Sequence, residues 1–229
     1  MFSQEEIAIL WLSLRVAAVA VLGSLPLAVL AAWLLARGRF RGHLVLNVLV
    51  HLPLLLPPVL TGYLLLRVFG RQGMVGAWLH DTFGVGFSFH WTGAALAASV
   101  MAFPLFVRAI RLSIEAIPRE IEDAAAGLGA RPWARFIRII LPLSRPGIAA
   151  GMALAFAKAL GEFGATITFV SNIPGQTRTL SLAMHSFLQV PGGEAAVGRL
   201  AILSVLLAVG ALLVSEWMVR RAAFRPPSE

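Results

Sequence analysis

Between Ile7 and Leu35 the chain carries a single charged residue, Arg15. An α-helix needs only about 20 apolar residues to cross a bilayer core of about 30 Å, so this stretch alone is long enough to span. Inside hydrocarbon the backbone must satisfy its own hydrogen bonds, which leaves only helices or closed barrels. Barrel strands read as segments of about ten residues with alternating polarity. Here the apolar runs are long, continuous and rich in Leu, Ala and Val. The expected fold class is therefore all-α, a polytopic bundle of transmembrane helices. Composition agrees, with 59% apolar and 13% charged residues and a mean hydropathy of +0.83. Glu5 and Glu6 stand where a cleaved leader would carry basic residues, so the first run is read as a retained span. No cysteine is present, which excludes disulfides, thiolate metal sites and thiol nucleophiles.

Five spans are expected, over residues 7–35, 44–69, 92–114, 136–163 and 197–219, in a single membrane domain covering 1–229. Arg37, Arg39 and Arg41 follow the first, Arg108 and Arg111 close the third, and Arg220, Arg221 and Arg225 follow the fifth. Basic residues accumulate on the cytoplasmic side, which places the N-terminus outside and the C-terminus inside. The formal charge of +8 is read as these loops against lipid headgroups, not as a nucleic-acid footprint. In the second span, His51 to Pro58 holds three prolines whose missing donors must bend or break the helix. Residues 161–193, with Pro174 and Pro191, are too broken for a span and read as outer loop with a short helix or re-entrant segment.

The polar stretch 115–138 lies on the inner side. Pro118 suits a first helical turn, Glu120, Glu122 and Asp123 complement its positive end, and Ala124 to Ala126 favour helix. Gly129 suits a left-handed stop. Three alanines leave a surface that another protein can approach closely. Asp123, Ala124, Ala125, Gly129, Ile139, Leu141 and Pro142 have the spacing of the EAA loop, and through them the chain resembles the permeases of bacterial ABC importers. Asp123 stands in the place of that motif's Glu, with Glu122 one residue earlier. The likeness is greatest to molybdate permeases. It extends through Leu52 to Leu64, Ala102 to Leu112 and Gly161 to Thr179, the last being the most diagnostic; sulfate permeases share only a shorter Gly-Glu-Phe-Gly piece. The resemblance implies a type I importer fold and residues 118–142 as a coupling segment. It also implies a second copy of the chain, two cytoplasmic ATPases holding the ATP and Mg2+, and an extracytoplasmic molybdate-binding protein, all at the inner membrane of a bacterium. No cofactor or metal is expected in this chain. Tungstate, sulfate and thiosulfate stay open as cargo.

Charges within spans are the remaining candidates, because such residues ordinarily face a cavity or each other. Lys158 and Glu162 are one turn apart and read first as a self-contained pair, with a pathway or gate position as the alternative. Arg15 either snorkels to the outer surface or attracts an anion. Thr166, Thr168, Ser171 and Asn172 offer neutral groups to an oxyanion, or else satisfy the local backbone. Glu216 is expected to pair with Arg220. An intramembrane enzyme is disfavoured: the only aspartates, Asp81 and Asp123, fall in separate loops, and HExxH, Gly-x-Ser-x-Gly and the phosphate-cradling loop are all missing. An ATP-independent channel or carrier would have no use for a coupling segment.

Overall fold

Alanine decides which helices meet at the centre of the bundle. The computed structural model describes residues 3–223, and among them every regular element is helical. The first is α1, Gln4–Arg37, followed by α2, His43–Leu55, and α3, Pro58–Phe69. A short α4, Met74–Phe83, leads to α5, Trp91–Glu115. Then come α6, Arg119–Gly127, α7, Pro132–Arg135, a π turn at Phe136–Ile140, and α8, Leu141–Leu143. The chain finishes with α9, Arg145–Leu160, α10, Gly164–Val170, α11, Leu180–Leu188, and α12, Glu194–Ala223.

The helices α1, α5 and α9 pack on one another to form the core. Ala17, Ala20, Ala28 and Ala32 of α1 and Ala94, Ala97, Ala98 and Ala102 of α5 are almost fully buried. Small side chains let helix axes approach closely, and packing rather than water exclusion drives association in lipid. The Ser99 hydroxyl at this contact lies 2.7 Å from Ala95 O of its own helix and 3.2 Å from Ala20 O of α1. Around that core, α12 lies on α9, α11 on α12, and α10 on α3 and α5. The outer faces of α2 and α12 remain apolar and exposed, with Leu44, Leu55, Leu206 and Leu213 all more than half accessible.

Two of the expected spans are not straight. Residues 44–69 divide into α2 and α3, which meet at 116°. The Pro57–Pro58 pair supplies no backbone donors there, and Pro57 becomes the N-cap of α3 instead of continuing α2. Residues 136–163 divide as well: Pro132–Leu143 and α9 meet at 68°, so the straight part begins at Arg145 and not near Phe136. Pro142, Pro146 and the π turn account for that break. Among the described residues three helices are long and apolar enough to cross a membrane singly, and the count is five when each bent pair is taken as one span. The side chains of Arg220 and Arg221, and the whole of Arg225, lie outside the described residues, as does the expected Glu216–Arg220 pair.

Gly62 sets how closely α3 approaches α10. A Cβ there would stand 2.5 Å from Ala165 O, 2.8 Å from Thr168 Cβ and 2.9 Å from Ala165 Cα, so two backbones would have to move apart. The Gly62→Ala variant is expected to lose about 1–3 kcal/mol through this overpacking, seen as a lower unfolding midpoint in detergent. Gly198→Ala, with open space around the added methyl, is the control and should melt at or slightly above the parent.

Candidate functional site

At the α1 C-terminal end of the bundle, α6 is closed on both sides by local backbone chemistry. Pro118 precedes it in an extended conformation. At its far end Gly129 takes φ +84; the Gly129 amide donates to Ala126 O at 2.9 Å and the Ala130 amide to Ala125 O at 3.0 Å. This paired arrangement is the Schellman stop, which needs a residue that tolerates left-handed φ. The helix therefore has a fixed length, and its two faces differ sharply.

Glu122 is the only buried residue of α6. Its carboxylate Oε1 accepts from Arg37 Nε at 2.7 Å. Asp123, Ala124, Ala126 and Leu128 face outward, and Leu128 is 91% accessible. Glu122, a member of the expected coupling segment, points into its own chain while Asp123 points out, because one step along a helix turns a side chain by about 100°. Asp123 is the outward acid. Ala125 is half-buried.

Gly129 and Ile139 line one recess of about 430 Å³ with Leu128, Arg131, Arg135 and Arg138. Leu141 packs against the core instead, and Pro142 is half-buried in α8. Trp33 of α1 seats this segment through ring contacts with Phe136 at 4.6 Å and Trp133 at 6.4 Å.

The intramembrane candidates lie in α1 and from α9 onward. Lys158 Nζ reaches Glu162 Oε2 at 2.9 Å, and the pair is asymmetric: the acid side chain is 2% accessible and the lysine 32%. Glu162 Oε1 also accepts from the Ala165 amide at 3.0 Å, so it caps the start of α10. Thr166 is buried. Thr168 donates back to Gly164 O at 2.9 Å. Ser171 ends α10 at φ +62, and its carbonyl accepts from the Thr177 hydroxyl at 3.0 Å. Asn172 donates to Ser186 Oγ and accepts from Arg178 Nε at 3.2 Å. These polar groups mostly hold the turn between α10 and α11 together. Arg15 neither stands free nor pairs with an acid; its guanidinium lies 3.8 Å from the centre of the Trp91 ring.

Other contacts had no local signature. Arg199 of α12 holds Glu6 of α1 at 2.7 Å, Arg178 holds Glu5 at 2.9 Å, and Ser13 Oγ accepts the Leu180 amide at 2.8 Å. All tie the start of α1 to segments more than 160 residues later. The only usable signal was an acidic pair at one end of a span with lone arginines elsewhere.

Comparison with known proteins agrees with this architecture. Residues 24–223 match the family described as "Binding-protein-dependent transport system inner membrane component". The chain is 56% identical over 209 residues, 91% of each sequence, to the "Molybdenum transport system permease protein ModB" of Escherichia coli strain K12. It is 54% identical over 216 residues, 94% of each, to the Haemophilus influenzae protein of the same name. Among solved structures, a chain of a bacterial alginate ABC transporter in complex with an alginate pentasaccharide-bound periplasmic protein superposes with a TM-score of 0.75 at 18% identity, covering 97% of this chain and 81% of that one. The chain therefore belongs to the binding-protein-dependent transport system inner membrane components and has the fold of a type I ABC importer permease.

Proposed function

We propose that this chain is the membrane-spanning subunit of an ATP-driven importer of molybdate, working as two copies that enclose the pathway. Two cytoplasmic ATPases, which carry the ATP and Mg2+, press on α6, and an extracytoplasmic binding protein delivers the anion. The N-terminus lies outside the bacterial inner membrane and the C-terminus in the cytoplasm. The observation that carries the reading is α6 itself: a helix with Asp123, Ala124 and Ala126 exposed and an almost fully accessible leucine at its C-cap, on a chain 56% identical to a molybdenum permease. Such a face accepts a second protein at short range. The exposed apolar sides of α2 and α12 supply surface for lipid and for the second copy.

In the proposed cycle, ATPase closure displaces α6 and re-tilts the helices from an inward-open to an outward-open arrangement. Differential contacts in the two states drive the change. The half-exposed Lys158 lies beside the pathway, where its ammonium leaves Glu162 to meet the passing dianion. Conduction requires weak binding, and a cation already shared with a carboxylate binds weakly.

Uptake of labelled molybdate by the reconstituted permease, ATPases and binding protein, with sulfate and tungstate as competitors, tests the cargo directly. ATP-independent flux through the purified permease alone would favour a channel. Ala124→Trp, which adds bulk on the outward face of α6, is expected to cut uptake by about tenfold or more, a coupling loss of about 1.4 kcal/mol, with normal membrane insertion. Normal uptake by this variant counts against α6 as the lever.

Lys158→Met should lower the unfolding midpoint by leaving the Glu162 carboxylate buried without its counter-ion. The double variant Lys158→Met with Glu162→Gln should recover stability but not uptake. Recovery of both would assign the pair a purely structural role.

A further inference from the structure

The buried face of α6 raises a separate question, because its one buried side chain is a carboxylate. A helix that docks on a bundle ordinarily buries leucine or isoleucine, and a buried ion pair is a poor source of net stability compared with apolar packing. What such a pair gives is a fixed position. Arg37, the last residue of α1, directs two of its three guanidinium nitrogens here: Nε on Glu122 Oε1 at 2.7 Å, and Nη2 on Ile114 O at 2.9 Å and Ile117 O at 2.7 Å. Both side chains of the pair are only 12% accessible. Ile114 and Ile117 stand at and just beyond the end of α5, where carbonyls run short of helical partners; Ile114 O also accepts the Ile117 amide at 3.1 Å. One guanidinium thus joins the ends of α1 and α5 to α6. Apart from this, the broad packing contact of α6 is with the four-residue α7.

We propose that Arg37 and Glu122 form a clamp that makes α6 a rigid body with the ends of α1 and α5, so that a push on α6 moves the α1–α5 pair without slippage. The inference rests on the reading of α6 as the lever and names what it pulls. Both residues are positioning residues, since neither meets the anion or ATP. Lysine cannot replace Arg37: a point ammonium on a flexible stem cannot reproduce a planar fork with fixed donors.

Because the chain has no cysteine, the double variant Arg37→Cys with Glu122→Cys carries the only permease thiols. In the reconstituted complex its reduced form should hydrolyse ATP at near the parent rate while moving at least about fivefold less molybdate per ATP. Joining the two thiols with a short bifunctional reagent should restore at least half of the parent ratio. Arg37→Lys should resemble the reduced form, whereas a role confined to folding would lower assembled yield and leave the ratio unchanged. An unaltered ratio in the reduced variant, or transport abolished by the cross-link, would overturn the clamp. A readout independent of cargo uses spin labels at Asp123 and the exposed Arg39: in the Glu122→Gln complex their separation should change by more than about 2 Å between nucleotide-free and ATP-bound states, and in the parent by less. Equal changes in both refute the clamp. Absence of molybdate uptake by the parent complex refutes the proposed cargo and leaves the label distances to judge the clamp.

Discussion

In a bilayer core an unsatisfied amide or carbonyl has no water to turn to, and the way this chain changes direction follows from that constraint. Its breaks occur at Leu56–Pro57, at Ser144 and at Gly161–Phe163. Each is mended locally. The Leu56 amide still reaches Leu52 O, while Pro57 O accepts the amides of Leu60 and Thr61 to begin α3. Ser144 is 1% accessible, and its amide donates to Ile140 O while its hydroxyl donates to Leu141 O. Glu162 uses a carboxylate oxygen on the Ala165 amide. Ser144 and Glu162 make their repairs buried in protein, whereas the turn from α2 to α3 is largely exposed and depends on the Leu52 and Pro57 carbonyls to keep its amides paired.

How far the sequence can be read follows from the range of each interaction. Hydropathy locates the long helices because the bilayer imposes a minimum length on a local property. Pro118 and Gly129 mark the ends of α6 because capping acts over four or five residues. The Lys158–Glu162 pair is legible for the same reason, its partners being one turn apart. By contrast Arg37 and Glu122 are 85 positions apart, and Arg199 and Glu6 are 193 apart. Nothing local distinguishes Arg37 from Arg39 or Arg41, which simply mark a basic loop. Which of Glu122 and Asp123 faces outward depends on the docking of α6, so the sequence leaves both acids available. The bend at Ser144 is hidden because apolar residues continue across it, and hydropathy reports burial in lipid rather than direction.

The long-range pairs share a pattern that no one of them shows by itself. At the start of α1, Glu6 binds α12 through Arg199, Glu5 binds Arg178, and Ser13 accepts the first amide of α11. At its other end Arg37 binds α5 and α6. Between these polar ends the contact with α5 is lined by alanines at one end and by Phe106, Val107 and Ile110 at the other. Directional bonds fix position, and here the Ser99 hydroxyl near Ala20 O adds to Arg37 on Ile114 O in holding α1 in register with α5. As a result α1 is a strut pinned at both ends and paired with α5 along its length.

That pairing bears on how, in the proposed cycle, a small push would become a change of access. Two helices joined in this way would move as one piece, with no rotamers to repack between them, and would carry displacement from the α6 end to the α11–α12 end. The elements that would move against them are the bent ones: α3 and α10 touch closely through Gly62 and Ala165 and are each joined to their preceding helix by a break rather than by continuous hydrogen bonding. In the proposed cycle the cations follow the same logic. Arg15 is held by the Trp91 ring and Lys158 by Glu162, so neither is an unpaired cation that would trap a dianion. In that cycle a path lined in this way would let the anion leave, and the work would come from the partner that drives α6.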